Sequence, residues 1–185
     1  MNKQQPMNAG RMRWLALDLA TTTGWATSLE GAGIVSGFES YKSRRFEGGG
    51  MRFLNFRRWL DRMLDELGVI GWVAFEEVRG HKGTDAAHIY GGLLAVLGSW
   101  CEERGIPYQG VPVSEIKKHA TGKGGSGKPA MIAAMRAKGH SPADDNEADA
   151  LAIMYWMIDH ATTRAPDQRP ALHSQPRRRV PLVSV

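Results

Sequence analysis

The residues of this chain best placed to do chemistry lie in DDNEADALAIMYW, Asp144 to Trp156. Asp145 and Asp149 stand four apart, one helical turn, so their carboxylates share a face. The apolar continuation anchors that face to a core. Two further acids end apolar runs: Asp18 in LALDLATTTGWA and Glu76 in VAFEEV. Hard cations such as magnesium take oxygen ligands, and two-metal phosphodiester chemistry needs several carboxylates converging on one spot. A metal site built from these acids is the first expectation.

Each acid has a structural reading beside the chemical one. Asp18 would otherwise be a solvated turn residue. Glu76 and Glu77 point to opposite faces of a strand, and both faces look apolar, so periodicity does not choose between them. Acids favour a helix N-terminus, and Ser141-Pro142-Ala143-Asp144 resembles a capping box, so Asp144 reads as a cap. Asp149 lies beyond the first turn beside Leu151, Ala152 and Ile153, where an unpaired carboxylate is costly.

These residues need elements to hold them. Trp14–Asp18 reads as a buried strand, Thr21–Gly24 as a turn, and Trp25–Leu29 and Ile34–Ser40 as two more strands. The apolar positions of Met51–Leu67 follow helical spacing, with Gly68 as its cap. Val69–Val78 is a fourth strand. A helix over 86–104 is rich in small residues, which let another helix come close. Ile106–Val113 is a fifth strand, followed by helices over 114–120, 129–138 and 145–161. The pattern is an α/β layer with a five-stranded mixed sheet flanked by helices. Residues 1–12 read as a leader, 13–162 as one domain, and 163–185 as a basic tail.

Bulk properties narrow the classes. The net charge is +5, and the 163–185 segment carries four of those charges through Arg164, Arg169, Arg177, Arg178 and Arg179 against Asp167. Basic regions with local acidic clusters suit an enzyme that grips a polyanion and cuts it with metals. Cys101 is the one cysteine, which fits a reducing, cytoplasmic compartment. No apolar run approaches a membrane span, the start does not read as a secretory signal, and no Cys/His spacing suits zinc. GKGGSGKP, 122–129, matches GxxxxGK, but Pro129 stands where Ser/Thr would hold magnesium and a helix precedes it. It reads instead as a basic loop, with Lys117, Lys118, Lys123 and Lys128 facing phosphate. Arg52–Arg62, aromatic and basic, is a second candidate phosphate contact.

Taken together, these motifs resemble the RuvC family of Holliday-junction resolvases, in a phage or prophage version, over about 14–158. The resemblance implies an RNase H-like fold. LALDLATTTGWA resembles the first strand, with Asp18 as a metal ligand. VAFEEV resembles the fourth-strand motif, whose first glutamate is the ligand, here Glu76. NEADALAI resembles the final helix, whose two ligand positions fall on Asn146 and Asp149. Asn146 departs from that pattern, and Asp145 or Glu147 would replace it; Asp145 shares a column with Asp149. SEIKKHA and GSGKPAM resemble the basic segment, mapping Lys117 and Lys128 to supporting lysines. The implied activity is Mg2+-dependent (or Mn2+-dependent) paired nicking of four-way and other branched DNA by a homodimer, with no nucleotide cofactor and no membrane. Two alternatives are a branched-DNA-binding module without catalysis, and a sugar-kinase relative, for which DLATTTG fits but the chain is too short.

Overall fold

The computed structural model describes residues 13–29, 33–80 and 83–163. The expected leader and nearly all of the expected basic tail lie outside them. Five strands form one sheet: β1 (Arg13–Asp18), β2 (Thr22–Leu29), β3 (Gly33–Ser40), β4 (Ile70–Glu77) and β5 (Tyr108–Pro112). Their order is β3-β2-β1-β4-β5. The first three form an antiparallel meander, while β4 runs parallel to β1 and β5 parallel to β4. The carboxyl ends of β1, β4 and β5 therefore share one edge, where open α/β sheets place ligands.

Sequence explains the layers. Leu15, Ala16 and Leu17 are wholly buried, as a central strand covered on both faces requires. Edge strand β3 is half exposed along its length. On one face lie α1 (Met51–Leu67) and α2 (Thr84–Arg104). Phe56, Trp59, Leu60 and Met63 of α1 form its buried stripe, and this core joins them to Leu15, Leu17, Val73, Phe75, Leu93, Leu97 and Trp100. Helix α1 ends at Gly68, whose φ of 76° lets its N–H reach the Leu64 carbonyl.

The opposite face carries α3 (Val113–Thr121), α4 (Lys128–Ala137) and α5 (Asp145–Thr163). Helix α5 lies between the sheet and the other two helices. Ala148, Ala150, Leu151, Ala152, Ile153, Met154 and Met157 are all fully buried, so this helix is apolar around most of its circumference. The sheet meets it with small residues, Ala16, Ala26 and Ala74, which let the helix axis come close. Among the described residues, no helix is long and apolar enough to cross a membrane.

The expected fifth strand shortens to Tyr108–Pro112, with Val113 starting α3, and the largest shift is at the start of β2. Thr22, Thr23 and Gly24 belong to β2 rather than to a turn. Thr23 is wholly buried, and its hydroxyl donates to the Ala20 carbonyl at 2.8 Å. A threonine–glycine run that looks like a turn is thereby held as strand.

Candidate active site at the carboxyl end of the sheet

The pairings Ala16↔Ala74 and Leu17↔Phe75 put the next two residues, Asp18 and Glu76, side by side. Strand alternation sends both toward α5, with Ala16 and Ala74. Glu77 goes the other way, with Val73 and Phe75, and pairs with Arg79 at 3.3 Å. Register thus decides what periodicity left open. Asp18 is 8% exposed and Glu76 is half-buried.

Helix α5 supplies the other two carboxylates. Its N-terminus presses on β2 at Gly24, where a Cβ would stand 1.9 Å from the Asn146 carbonyl oxygen. Only glycine allows this approach. Asp144 caps the helix: its Oδ1 accepts the Glu147 N–H at 2.9 Å, and its carbonyl accepts the Ala148 N–H. Glu147 completes the box by reaching away from the site. It accepts the Ala143 N–H at 2.8 Å and the Ser36 hydroxyl at 2.7 Å. Asn146 donates to Asp144 at 3.4 Å. Asp145 and Asp149 are left facing Asp18 and Glu76.

The electrostatics tie all six residues expected from the sequence into one network. Burial, then Glu76, Asp149 and Asp145, push Asp18 well above the usual carboxylate range, with Lys128 opposing. Burial raises Glu76, opposed by the Lys117 ammonium and by a side-chain hydrogen bond with Asp18. Asp149 is pushed up to about 7, first by burial and then by Glu76, with Lys117 opposing, Asp145 adding and Lys128 opposing. Asp145 moves the other way because it pairs with Lys128. Like charges held together in a desolvated place produce this pattern.

The two lysines arrive by way of the 122–127 loop. It joins two helices rather than a strand and a helix, so it lacks the geometry of a nucleotide phosphate loop. Thr121 closes it, donating to the Lys117 carbonyl at 2.7 Å and meeting the Ser126 hydroxyl at 2.6 Å. Lys117 on α3 and Lys128 at the start of α4 are thereby turned toward the same carboxylates. His119 instead faces Asp159 at 2.7 Å.

In the 52–62 stretch Phe56 and Trp59 are core, Arg57 and Arg62 pair with Glu103 and Glu39, and Arg58 is exposed. Two residues around the site are new. Thr23, already noted, fixes the turn after Asp18. The Tyr90 hydroxyl donates to the Glu76 carbonyl at 2.9 Å and accepts the Val78 N–H at 3.2 Å, which pins the end of β4. Nothing local in the sequence around Tyr90 announces that role.

Among the described residues, no group of three or more His, Cys, Asp or Glu is gathered tightly enough to hold a metal ion as it stands. The donor set nonetheless fits a hard divalent cation: four carboxyls, no thiol or imidazole, and mutual repulsion that raises Asp18 and that a cation would relieve.

No family model matches the sequence, and no curated protein matches it. Solved structures do. Thermus thermophilus RuvC aligns at 22% identity and a TM-score of 0.67, covering 82% of this chain and 96% of that one. The same protein in complex with a Holliday junction substrate gives 22% and 0.68, over 81% and 94%. The yeast mitochondrial Holliday junction resolvase Ydc2 gives 14% and 0.55, over 83% and 82%. The chain has the RNase H-like fold of these resolvases, with its carboxylates at the carboxyl end of the shared sheet.

Proposed function

We propose that this chain is a metal-dependent, structure-selective DNA endonuclease that resolves four-way and other branched junctions by paired nicking, a crossover junction endodeoxyribonuclease. The observation that carries the reading is the convergence of Asp18, Glu76, Asp145 and Asp149 from β1, β4 and α5. A fold shared with junction resolvases supports it.

Asp18, Glu76, Asp149 and Asp145 would hold two Mg2+ ions, with Mn2+ as a substitute. When bound, such ions supply a water of lowered pKa and neutralise charge on the leaving 3′ oxygen, giving a 5′ phosphate and a 3′ hydroxyl. The chain's own residues set the stage. Asp18 and Glu76, side by side at the ends of β1 and β4, would be the sheet's two ligands to those ions. Lys128 moves from Asp145 toward the scissile phosphate, and Lys117 lowers the negative potential that would repel DNA. Backbone contacts of this kind are sequence-independent.

A four-way junction has near two-fold symmetry and takes two cuts, so a symmetric dimer matches it. The outer face of α2, with Gly91, Ala95 and Ser99 exposed, is the candidate interface.

The test is a labelled four-way junction beside a matched linear duplex, with and without Mg2+. Paired, metal-dependent nicking of the junction, lost in Asp18→Asn, is the expected result. Equal cutting of both DNAs, or none, overturns it. One observation favours a second reading, a branched-DNA-binding module without catalysis: Asn146 bonds to Asp144 and adds no charge to the cluster. Junction binding that survives metal removal, with no nicking in Mg2+ or Mn2+, identifies that module.

A further inference from the structure

Phe46 is 95% exposed, far more than any other large apolar residue described. Single exposed apolar side chains are ordinary, but this one is held out by a built turn. The Glu47 N–H donates to the Arg44 carbonyl at 3.0 Å, and the Arg44 N–H donates to the Glu47 carboxylate at 2.8 Å. Arg45 and Phe46 therefore form the tip. The Arg45 guanidinium lies 5.8 Å from the centre of the Phe46 ring.

The root of the turn is tied to the sheet edge that carries Asp18. Tyr41 is buried and packs its ring against Phe56 and Trp59. Its N–H donates to the Thr21 carbonyl at 2.8 Å, three residues past Asp18. Thr22 pairs with Ser40, and Asp18 with Gly24, so β3 ends at the same sheet edge as Asp18. Two strand spacings, about 10 Å, separate β3 from β1.

The chemistry at this tip is specific. Lys42, Arg44 and Arg45 are exposed, and the one acid, Glu47, has its carboxylate engaged by the Arg44 main chain. An exposed ring among cations, beside a phosphodiester-cutting site, matches a base-stacking platform with phosphate contacts around it.

We infer that the Lys42–Glu47 turn is a nucleic-acid contact in which Phe46 stacks on an unstacked base at the branch point while Lys42, Arg44 and Arg45 hold the flanking phosphates. The inference rests on the nuclease reading and adds to it a determinant of branch selectivity. A continuous duplex offers no free base face, so the contact favours junctions over linear DNA.

The test uses wild type, Phe46→Ala and Phe46→Trp in Ca2+, with a four-way junction carrying 2-aminopurine at the branch point and a matched linear duplex. Phe46→Ala should bind the junction roughly tenfold more weakly, with duplex affinity changed by less than about twofold. It should also lose the 2-aminopurine fluorescence change seen with wild type, and Phe46→Trp should restore both. Wild-type junction nicking in Mg2+ is scored in parallel. If wild type nicks the junction and Phe46→Ala matches it in affinity and fluorescence, the stacking contact is wrong and the nuclease reading stands. If wild type neither prefers nor nicks the junction, both fall.

Discussion

Replacing Gly24 with alanine tests whether the placement of α5 sets the activity. The added Cβ would stand 1.9 Å from the Asn146 carbonyl oxygen, 2.2 Å from its carbon and 2.8 Å from the Glu147 nitrogen. All three are backbone atoms, so no side chain can swing aside. Relieving the closest contact to 3.0 Å moves the start of α5 by about 1.1 Å, and overpacking of this kind costs about 1–3 kcal/mol. Asp145 and Asp149 ride on that turn, while Asp18 and Glu76 stay with the sheet. A misplacement of about 1 Å at a reacting centre costs on the order of 100-fold in rate. The assay is single-turnover nicking of a four-way junction in Mg2+, with thermal melting and junction affinity measured alongside. Gly24→Ala should melt lower, nick about 100-fold slower and keep most of its affinity, since phosphate contacts lie elsewhere. A folded Gly24→Ala protein nicking at the wild-type rate would refute the placement.

Three further outcomes follow from the same geometry. Glu147→Gln keeps one oxygen to accept the Ala143 N–H and an amide NH2 that can donate to the Ser36 hydroxyl, and should retain metal-dependent nicking, whereas Asp145→Asn should lose at least about tenfold in metal affinity by calorimetry; the reverse result would make Glu147 the ligand. Asp149 titrates at about 7 in the folded chain against 3.8 for the ordinary group, so the folded state binds this proton more tightly than the unfolded chain does. The contribution of Asp149 to metal-free stability is then full below about pH 4 and falls as pH rises to about 7, by up to roughly 4 kcal/mol. Urea melts in EDTA should show that decline, Mg2+ should flatten it, and an Asp149→Asn protein that still declines equally would count against this origin. Tyr90→Phe removes the hydroxyl between the Glu76 carbonyl and the Val78 N–H and should destabilise by about 1–3 kcal/mol; an unchanged melting temperature would mean that β4 ends without it.

Much of this arrangement is legible in the residues themselves. Helix α1 has the bounds its apolar spacing predicts, Met51–Leu67 with Gly68 after it, because an amphipathic stripe closed by glycine is a local signal. Asp149 is legible because an acid inside an apolar helix needs a reason. The rest depends on partners distant in sequence. Glu76 and Glu77 look alike until the pairing of β4 with β1 assigns them faces. Asp145, Asn146 and Glu147 are separated by Ser36, 111 residues from Glu147, which draws that glutamate to β3. Thr22–Gly24 has turn composition but strand geometry, because it pairs with β1 and β3, and its glycine is there to admit α5. The pairing of Arg57 with Glu103 and of Arg62 with Glu39 likewise joins residues far apart in sequence.

The central claim is that Asp18, Glu76, Asp145 and Asp149 gather divalent cations. Crystals soaked in Mn2+ and measured for anomalous scattering test it most directly. The account predicts anomalous density among these four carboxylates, with Lys128 displaced from Asp145 and no density in Asp18→Asn crystals. Density at Glu147, or none at the carboxyl end of β1 and β4 in Mn2+, would contradict it.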